Sequence, residues 1–182
     1  EADLVAAKAS LEEQFDVQVH IHACDLSNGD VARQLVDECA DVEILVNNAG
    51  AIPGGDIHDI EETRWREAWD LKVFGYQNTC RAMLGHMRMK ERGVIVNVIG
   101  AAGEAPTPGY VAGSAGNAAI MAMTRALGAT SREYGVRVVG INPGLIATGR
   151  MVTLMKTQAE KKFGDPERWR EMQNQTYPPG MP

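Results

Sequence analysis

The sequence predicts an α/β fold: a doubly wound parallel sheet with helices on both faces, three layers α/β/α, in a single domain. Three observations predict it. Short apolar runs of strand length alternate with longer segments of helical periodicity along the chain. The runs Ile44-Leu45-Val46 and Val94-Ile95-Val96 are wholly apolar, as strands covered on both faces require. Two strand ends carry small and amide residues, Asn47-Asn48-Ala49-Gly50 and Asn142-Pro143-Gly144. In an open α/β sheet ligands bind at the carboxyl ends of strands, where small residues let a flat ligand approach the backbone.

The elements follow in order. Leu4, Val5, Leu11 and Phe15 lie among Ala, Lys and Glu and predict an amphipathic helix over 3–15. Val17 to Ala23 alternates and predicts a strand, ending at Cys24-Asp25-Leu26. Ser27 is a good N-cap for a helix to about Ala40, with Val31, Leu35 and Val36 inward. A strand follows at 43–47, then a Pro/Gly-rich loop over 52–60. Residues 61–91 read as one long helix, and Gly93 opens a strand through Val98. The segment 100–109 is an Ala/Gly/Pro loop, and 112–134 is a helix of small apolar residues. Residues 135–141 form a last strand, closed by Asn142-Pro143-Gly144. A polar helical segment with Met and Lys runs to about Gln175, and 177–182 is irregular. Methionines 83, 87, 89, 121 and 123 suit helix packing, including a subunit contact, better than a cofactor box.

Composition narrows the function. The chain has 182 residues, enough for one real core, with 45 % hydrophobic and 23 % charged residues. A net charge of −6 lacks the basic footprint of a nucleic-acid partner. The cysteines at 24, 39 and 80 form no Cys-x-x-Cys and read as reduced, mostly buried thiols in a cytoplasmic protein. His20 and His22 have no second cluster to complete a metal site. No apolar run reaches the ~18 residues of a membrane span, and no secretory leader pattern is visible.

Asn47-Asn48-Ala49-Gly50 directly after an apolar strand resembles the short-chain dehydrogenase/reductase family, and the likeness runs through nearly the whole chain. Asp25-Leu26 is similar to the family's Asp-Leu after its third strand, whose carboxylate contacts adenine. Asn97 lies on the strand that in the family leads to the catalytic serine. Thr124-Arg125-Ala126-Leu127 resembles the helix at the family's dimer or tetramer contact, and Asn142-Pro143-Gly144 with Thr148 resembles its nicotinamide border. The resemblance implies a Rossmann-like domain and NAD or NADP as cofactor. It also implies a small-molecule substrate and a homodimer or homotetramer. The cofactor-binding residues it implies are Asp25, Leu26, Asn47, Ala49, Gly50, Asn117, Pro143, Gly144, Ile146 and Thr148. The family's Gly-rich first βαβ unit and its last helix and strand have no counterpart within residues 1–182. A longer native protein is therefore expected.

The catalytic set departs from the family's Asn, Ser, Tyr and Lys. Anchored on Asn97 and Thr124-Arg125, the Ser position falls on Gly100, the Tyr position on Gly113 and the Lys position on Asn117. Lys72 stands where the family's Asn belongs. In a second register Tyr110 and Ser114 make a Tyr-x-x-x-Ser, but this needs extra residues inside a helix, which would rotate its buried face. If the helix reaches back to Pro108, Tyr110 and Gly113 share a face, with Tyr110 one turn, about 5 Å, from the normal site. A phenol could then fill the space Gly113 leaves, with Lys72 as the nearby cation. Tyr110 and Lys72 are thus the catalytic candidates, against the plainer readings of a loop aromatic and a solvated lysine. Ser114 lacks a His-Asp partner, and Glu104 reads as a solvent-facing loop carboxylate. The expected function is an NAD(P)-dependent oxidoreductase interconverting an alcohol with a ketone or aldehyde. The alternatives are a non-catalytic dinucleotide-binding scaffold and, more remotely, a lyase on the same fold.

Overall fold

A computed structural model describes residues 1–144, 146 and 148–176. Residues 177–182, read above as irregular, lie outside the described residues. The elements are α1 (Ala2–Gln14), α2 (Gly29–Glu38), β1 (Ile44–Asn47), α3 (Glu62–Trp69), α4 (Gly75–Met89), β2 (Gly93–Val98), α5 (Val111–Ser131), β3 (Val136–Ile141), α6 (Gly149–Phe163) and α7 (Trp169–Thr176). Short 3-10 turns follow α5 at Arg132–Tyr134 and precede α7 at Pro166–Arg168.

The three strands form one parallel sheet in the order β1-β2-β3. Leu45, Ile95 and Val138 share a row, as do Asn47, Asn97 and Gly140. This face is covered by helices. Ile95, Val136 and Val138 pack with Val36 of α2 and with Cys80, Met83 and Met87 of α4. Helix α5 packs tightly at Gly128, where an added Cβ would lie 2.8 Å from the Val138 carbonyl oxygen. Two of the expected layers are thus built by the described residues. The opposite face leaves Ile44, Val46, Val139 and Ile141 exposed.

Four expectations are corrected. The strand predicted at 17–23 is not one, because a strand needs a neighbour's ladder and this segment has none among the described residues. Side chains hold it instead. Lys8 Nζ donates to the Val19 carbonyl, Glu12 accepts from Val19 N–H at 2.9 Å, and His22 lies 3.4 Å from Glu38. The N-cap of α2 is Asn28, not Ser27. Asn28 Oδ1 accepts from the amides of Asp30 and Val31, while Ser27 turns back to Asp25. Helix α1 forms, but Leu4, Val5, Leu11 and Phe15 stay largely exposed rather than on a buried stripe. Finally, the long helix at 61–91 is interrupted by a π-helical turn, Asp70–Phe74, which carries Lys72.

A buried polar chain crosses the strand ends. Thr79 of α4 donates to Asn47 Oδ1 at 2.8 Å, and Asn47 Nδ2 donates to Asn97 Oδ1 at 2.9 Å. Asn97 Nδ2 donates to Thr124 of α5 at 2.9 Å, and Thr124 donates to the Ile120 carbonyl at 2.7 Å. The buried Cys80 thiol sits beside both amides, and its burial pushes it up to about 11. Asn97→Ala would strand the Asn47 amide in a water-free interior. Urea unfolding of that variant is expected to show a loss of about 2–4 kcal/mol.

Candidate functional site

The carboxyl ends of β1, β2 and β3 open on one side of the sheet, and the loops that leave them build a cavity of about 790 Å³. One wall is the loop after β1, with Ile52, Pro53 and Gly54. A second is Gly109 and Tyr110, just before α5. The third comes from the segment after β3 and from α6, with Ile146, Met151 and Leu154. Backbone bonds weld the first two: Gly55 N–H donates to the Gly109 carbonyl at 2.8 Å, and Val111 N–H donates to the Gly55 carbonyl at 3.2 Å. A lysine clasp joins the third, with Lys161 Nζ on α6 3.0 Å from Asp59 Oδ2.

Helix α5 begins at Val111, so it does not reach back to Pro108; Tyr110 is its N-cap, with non-helical backbone angles (φ −148°, ψ 43°). The phenol nevertheless lies over Gly113. A Cβ built on Gly113 would stand 2.0 Å from two ring carbons of Tyr110. The ring therefore fills the space that a side chain at 113 would take. Trp69 braces this turn by donating its indole N–H to the Ala112 carbonyl at 3.0 Å.

Lys72 reaches the end of β2. Its ammonium donates to the Ile99 carbonyl at 3.0 Å and lies 5.4 Å from the centre of the Tyr76 ring. Its stem passes over Gly50, where an added Cβ would be 2.6 Å from Lys72 Cδ. The strand-end glycine is thus the room the lysine uses. Tyr76 donates to the Val98 carbonyl at 2.8 Å, and burial holds its phenol above the ordinary tyrosine range. Asn117 is buried on α5 against Gly100, a glycine at φ +136°, whose Cβ would lie 2.8 Å from Asn117 Nδ2. Asn117 Oδ1 is enclosed and accepts no hydrogen bond among the described residues.

The other predicted residues fall into two groups. Gly144, Ile146 and Thr148 line the large cavity with Tyr110. Thr148 also caps α6, accepting from Met151 N–H at 3.3 Å. The Pro143 carbonyl accepts from Ala101 N–H at 2.9 Å, which ties the β3 end to the turn after β2. Leu26, Asn47 and Ala49 border a smaller cavity of about 290 Å³ between α2, β1 and α4. The Asn47 side chain is committed to the interior network, so what it offers a ligand is its backbone. Asp25 is exposed, and the Ser27 hydroxyl and amide hold its carboxyl below the usual range. Glu104 accepts from Asn142 at 3.1 Å and lies 3.7 Å from Arg125. The Ser114 hydroxyl, 3.3 Å from Thr107 N–H, is a brace for the preceding loop. Among the described residues no cluster of three His, Cys, Asp or Glu could hold a metal, and no helix is long and apolar enough to cross a membrane.

Trp69, Leu154 and the Asp59–Lys161 clasp escaped the sequence reading. Met151, Met155 and Ala159 recur every four residues and mark the buried stripe of α6, which leaves Leu154, Gln158 and Lys161 for the cavity. That signal was available. The clasp joins residues 102 positions apart, which no local pattern reveals.

With this geometry in place, known proteins bear on it. A family profile described as short chain dehydrogenase matches residues 1–159, and the chain belongs to that family. It is 32 % identical over 149 residues to L-fucose dehydrogenase of Oryctolagus cuniculus, covering 76 % of this chain and 50 % of that one. Its structure is similar to that of L-sorbose reductase from Gluconobacter frateurii complexed with NADPH and L-sorbose. There the TM-score is 0.81 and the identity 26 %, over 94 % of this chain and 66 % of that one. NAD+-bound xylitol dehydrogenase shares the fold at TM-score 0.87 and 24 % identity, over 96 % of this chain and 71 % of that one. The chain spans about half the length of the curated relatives it matches.

The clasp has a pH signature. The backbone N–H of Asp56 and then the Lys161 ammonium hold the Asp59 carboxyl below its ordinary 3.8. A depressed carboxyl contributes above its unfolded value and is lost as pH falls through the lower folded one, so the clasp is intact above about pH 3.8. Lys161→Met is expected to move the Asp59 carboxyl up towards 3.8, read by carboxyl NMR titration.

Proposed function

We propose that this protein is a nicotinamide-dependent oxidoreductase that interconverts an alcohol with a ketone or aldehyde, using NAD or NADP, with Tyr110 and Lys72 in catalytic roles. One observation carries the reading. The Tyr110 ring occupies the space of a side chain at Gly113, on the wall of the large cavity. The family resemblance puts its tyrosine at 113, so a phenol supplied from 110 supports the same chemistry. Lys72 and Asn117 support it by exchange. The family has an amide on the long helix and an ammonium on the next; here the ammonium is at 72 and the amide at 117, and both reach the Ile99-Gly100 end of β2.

The residues fit a dinucleotide at the strand ends. Asn117 Oδ1 is an enclosed acceptor with no donor among the described residues, and no described residue beyond its chain neighbours lies within 4 Å of where a Cβ on Gly144 would stand. Asp25 and Leu26 would hold the adenine end, with the backbone of Asn47, Ala49 and Gly50 along the strand end. Asn117 would take a ribose hydroxyl, and Pro143, Gly144, Ile146 and Thr148 would border the nicotinamide. When bound, the nicotinamide exchanges a hydride with the substrate carbon. The protein's part is the proton. As the alcohol C–H bond breaks and the hydride departs, the Tyr110 phenolate takes the hydroxyl proton and the carbonyl forms. In the reverse direction the phenol returns that proton to the carbonyl oxygen. The cation of this chemistry is given to Lys72, whose ammonium stands at the Ile99 carbonyl at the end of β2. L-fucose dehydrogenase and L-sorbose reductase, named for this chemistry, are consistent with the reading.

Gly100 favours a second reading, a non-catalytic dinucleotide-binding scaffold, since no hydroxyl stands there to polarise a carbonyl. Calorimetric titration with NAD(H) and NADP(H), then a hydride-transfer screen by nicotinamide absorbance, separates the two. Binding without transfer favours the scaffold, and no binding sinks both. In the active protein Tyr110→Phe is expected to lower kcat roughly 100-fold or more while cofactor affinity holds. Gly113→Ala should lose comparable activity, because its Cβ evicts the ring. Lys72→Met should lower kcat by about tenfold or more.

A further inference from the structure

We propose that Trp69 is a positioning residue of the site, holding the turn that carries Tyr110 and the turn that carries Lys72 in one frame from outside the cavity. The proposal rests on the oxidoreductase reading for what those two groups do and goes beyond it to what keeps them in place. Trp69 is not among the residues that line the large cavity. It ends α3 and leads into the π-helical turn Asp70–Phe74, three residues before Lys72. Its indole N–H crosses from there to the Ala112 carbonyl at 3.0 Å, in the first turn of α5 and two residues after Tyr110. An indole donates and does not accept, so this bond admits one direction and one register.

Gly116 is the seat that lets the indole reach α5. A Cβ built there would stand 3.2 Å from Trp69 Nε1, 3.2 Å from Val73 Cγ2 and 3.4 Å from Ile52 Cδ1. Trp69 and Val73, four residues apart with Lys72 between them, thus meet the same position of α5. Glycine is a poor residue inside a helix, so α5 gives up intrinsic stability at the point where the indole enters. The two sides of the seat lead to the two candidate groups. The Trp69 ring packs on Ile52, Ile60, Ala68 and Ala112, the cluster that Tyr110 also packs against. Val73 packs with Tyr76 and Ile99, and the Ile99 carbonyl is the one that Lys72 holds. Tyr110 is tied on its loop side by the Gly55 bond to the Gly109 carbonyl. The indole supplies the hold on its helix side. A phenol borne by an N-cap residue moves with the first turn of its helix, and a misplacement of about 1 Å can cost roughly a hundredfold in rate.

Fluorine NMR of the protein labelled with 3-fluorotyrosine tests the placement without cofactor or turnover. The Tyr110 signal is assigned by its loss in Tyr110→Phe. Tyr134, just beyond the far end of α5 and 4.9 Å from the Arg88 guanidinium at its ring centre, is the internal control. Trp69→Phe keeps a ring and removes the donor. It is expected to shift the Tyr110 signal and to leave that of Tyr134 in place. Gly116→Ala keeps the donor and crowds it. It should shift the same signal while the melting temperature holds or rises, because alanine suits the helix. On the alcohol that the hydride-transfer screen turns over, each variant should lower kcat about tenfold or more with cofactor affinity unchanged. The double variant should lose no more than the worse single one, since the two changes remove one interaction. A Tyr110 signal unmoved in either variant overturns the proposal, and so does a shift that reaches Tyr134 as strongly. An unchanged kcat in Trp69→Phe, or losses that multiply in the double variant, overturn it as well. Failure of the oxidoreductase reading shows separately, as absent cofactor binding or absent hydride transfer, and the fluorine signals are read in either case.

Discussion

The hydrogen-bond chain from Thr79 through Asn47 and Asn97 to Thr124 is the constraint on which the rest of the structure depends. It runs helix to strand to strand to helix, at the depth where β1 and β2 finish. Each amide is buried, so each must find both a donor and an acceptor, and only one relative placement of α4, β1, β2 and α5 supplies them. Apolar packing of Ile95, Met83 and Val138 beneath it is tolerant of small slips. The amide chain is not. It sets where the strand ends open and hence where Lys72 and Asn117 meet the end of β2.

Above that layer the site is built from paired deletions and fillings. Gly50 leaves room that the Lys72 stem occupies, Gly100 leaves room against Asn117, and Gly113 leaves room for the Tyr110 ring. In each pair a missing side chain on one element accommodates a side chain from another position. A reading position by position therefore finds glycines where functional groups belong. The side chains that fill these places come from elsewhere, through a π-helical turn for Lys72 and an N-cap residue for Tyr110. A π-helical turn widens the helix locally and re-aims side chains, a device common at functional sites.

The legible part of the fold was periodicity and punctuation. The runs at 44–46, 94–96 and 136–141 became the three paired strands because apolar runs of that length have few other uses. The failures were of another kind. Val17 to Ala23 has a strand's alternation, but alternation states only a capacity to pair, and pairing depends on a neighbour. Ser27 lost its cap to Asn28 because Asp25 had already engaged it. The π-helical turn has no residue code at all, and neither does the clasp between Asp59 and Lys161.

The sequence by itself determined the parallel α/β class, the family, and where the strands at 44–47 and 136–141 end. These follow from local patterns, and local patterns are written in adjacent residues. Tertiary structure alone decided that the Asn47 side chain ties the sheet together, that Tyr110 fills the place of Gly113, and that α6 walls the cavity. The reason is physical. Whether a polar side chain braces the core or faces a ligand depends on which partners remain unsatisfied after the chain has packed, and those partners lie tens of residues away.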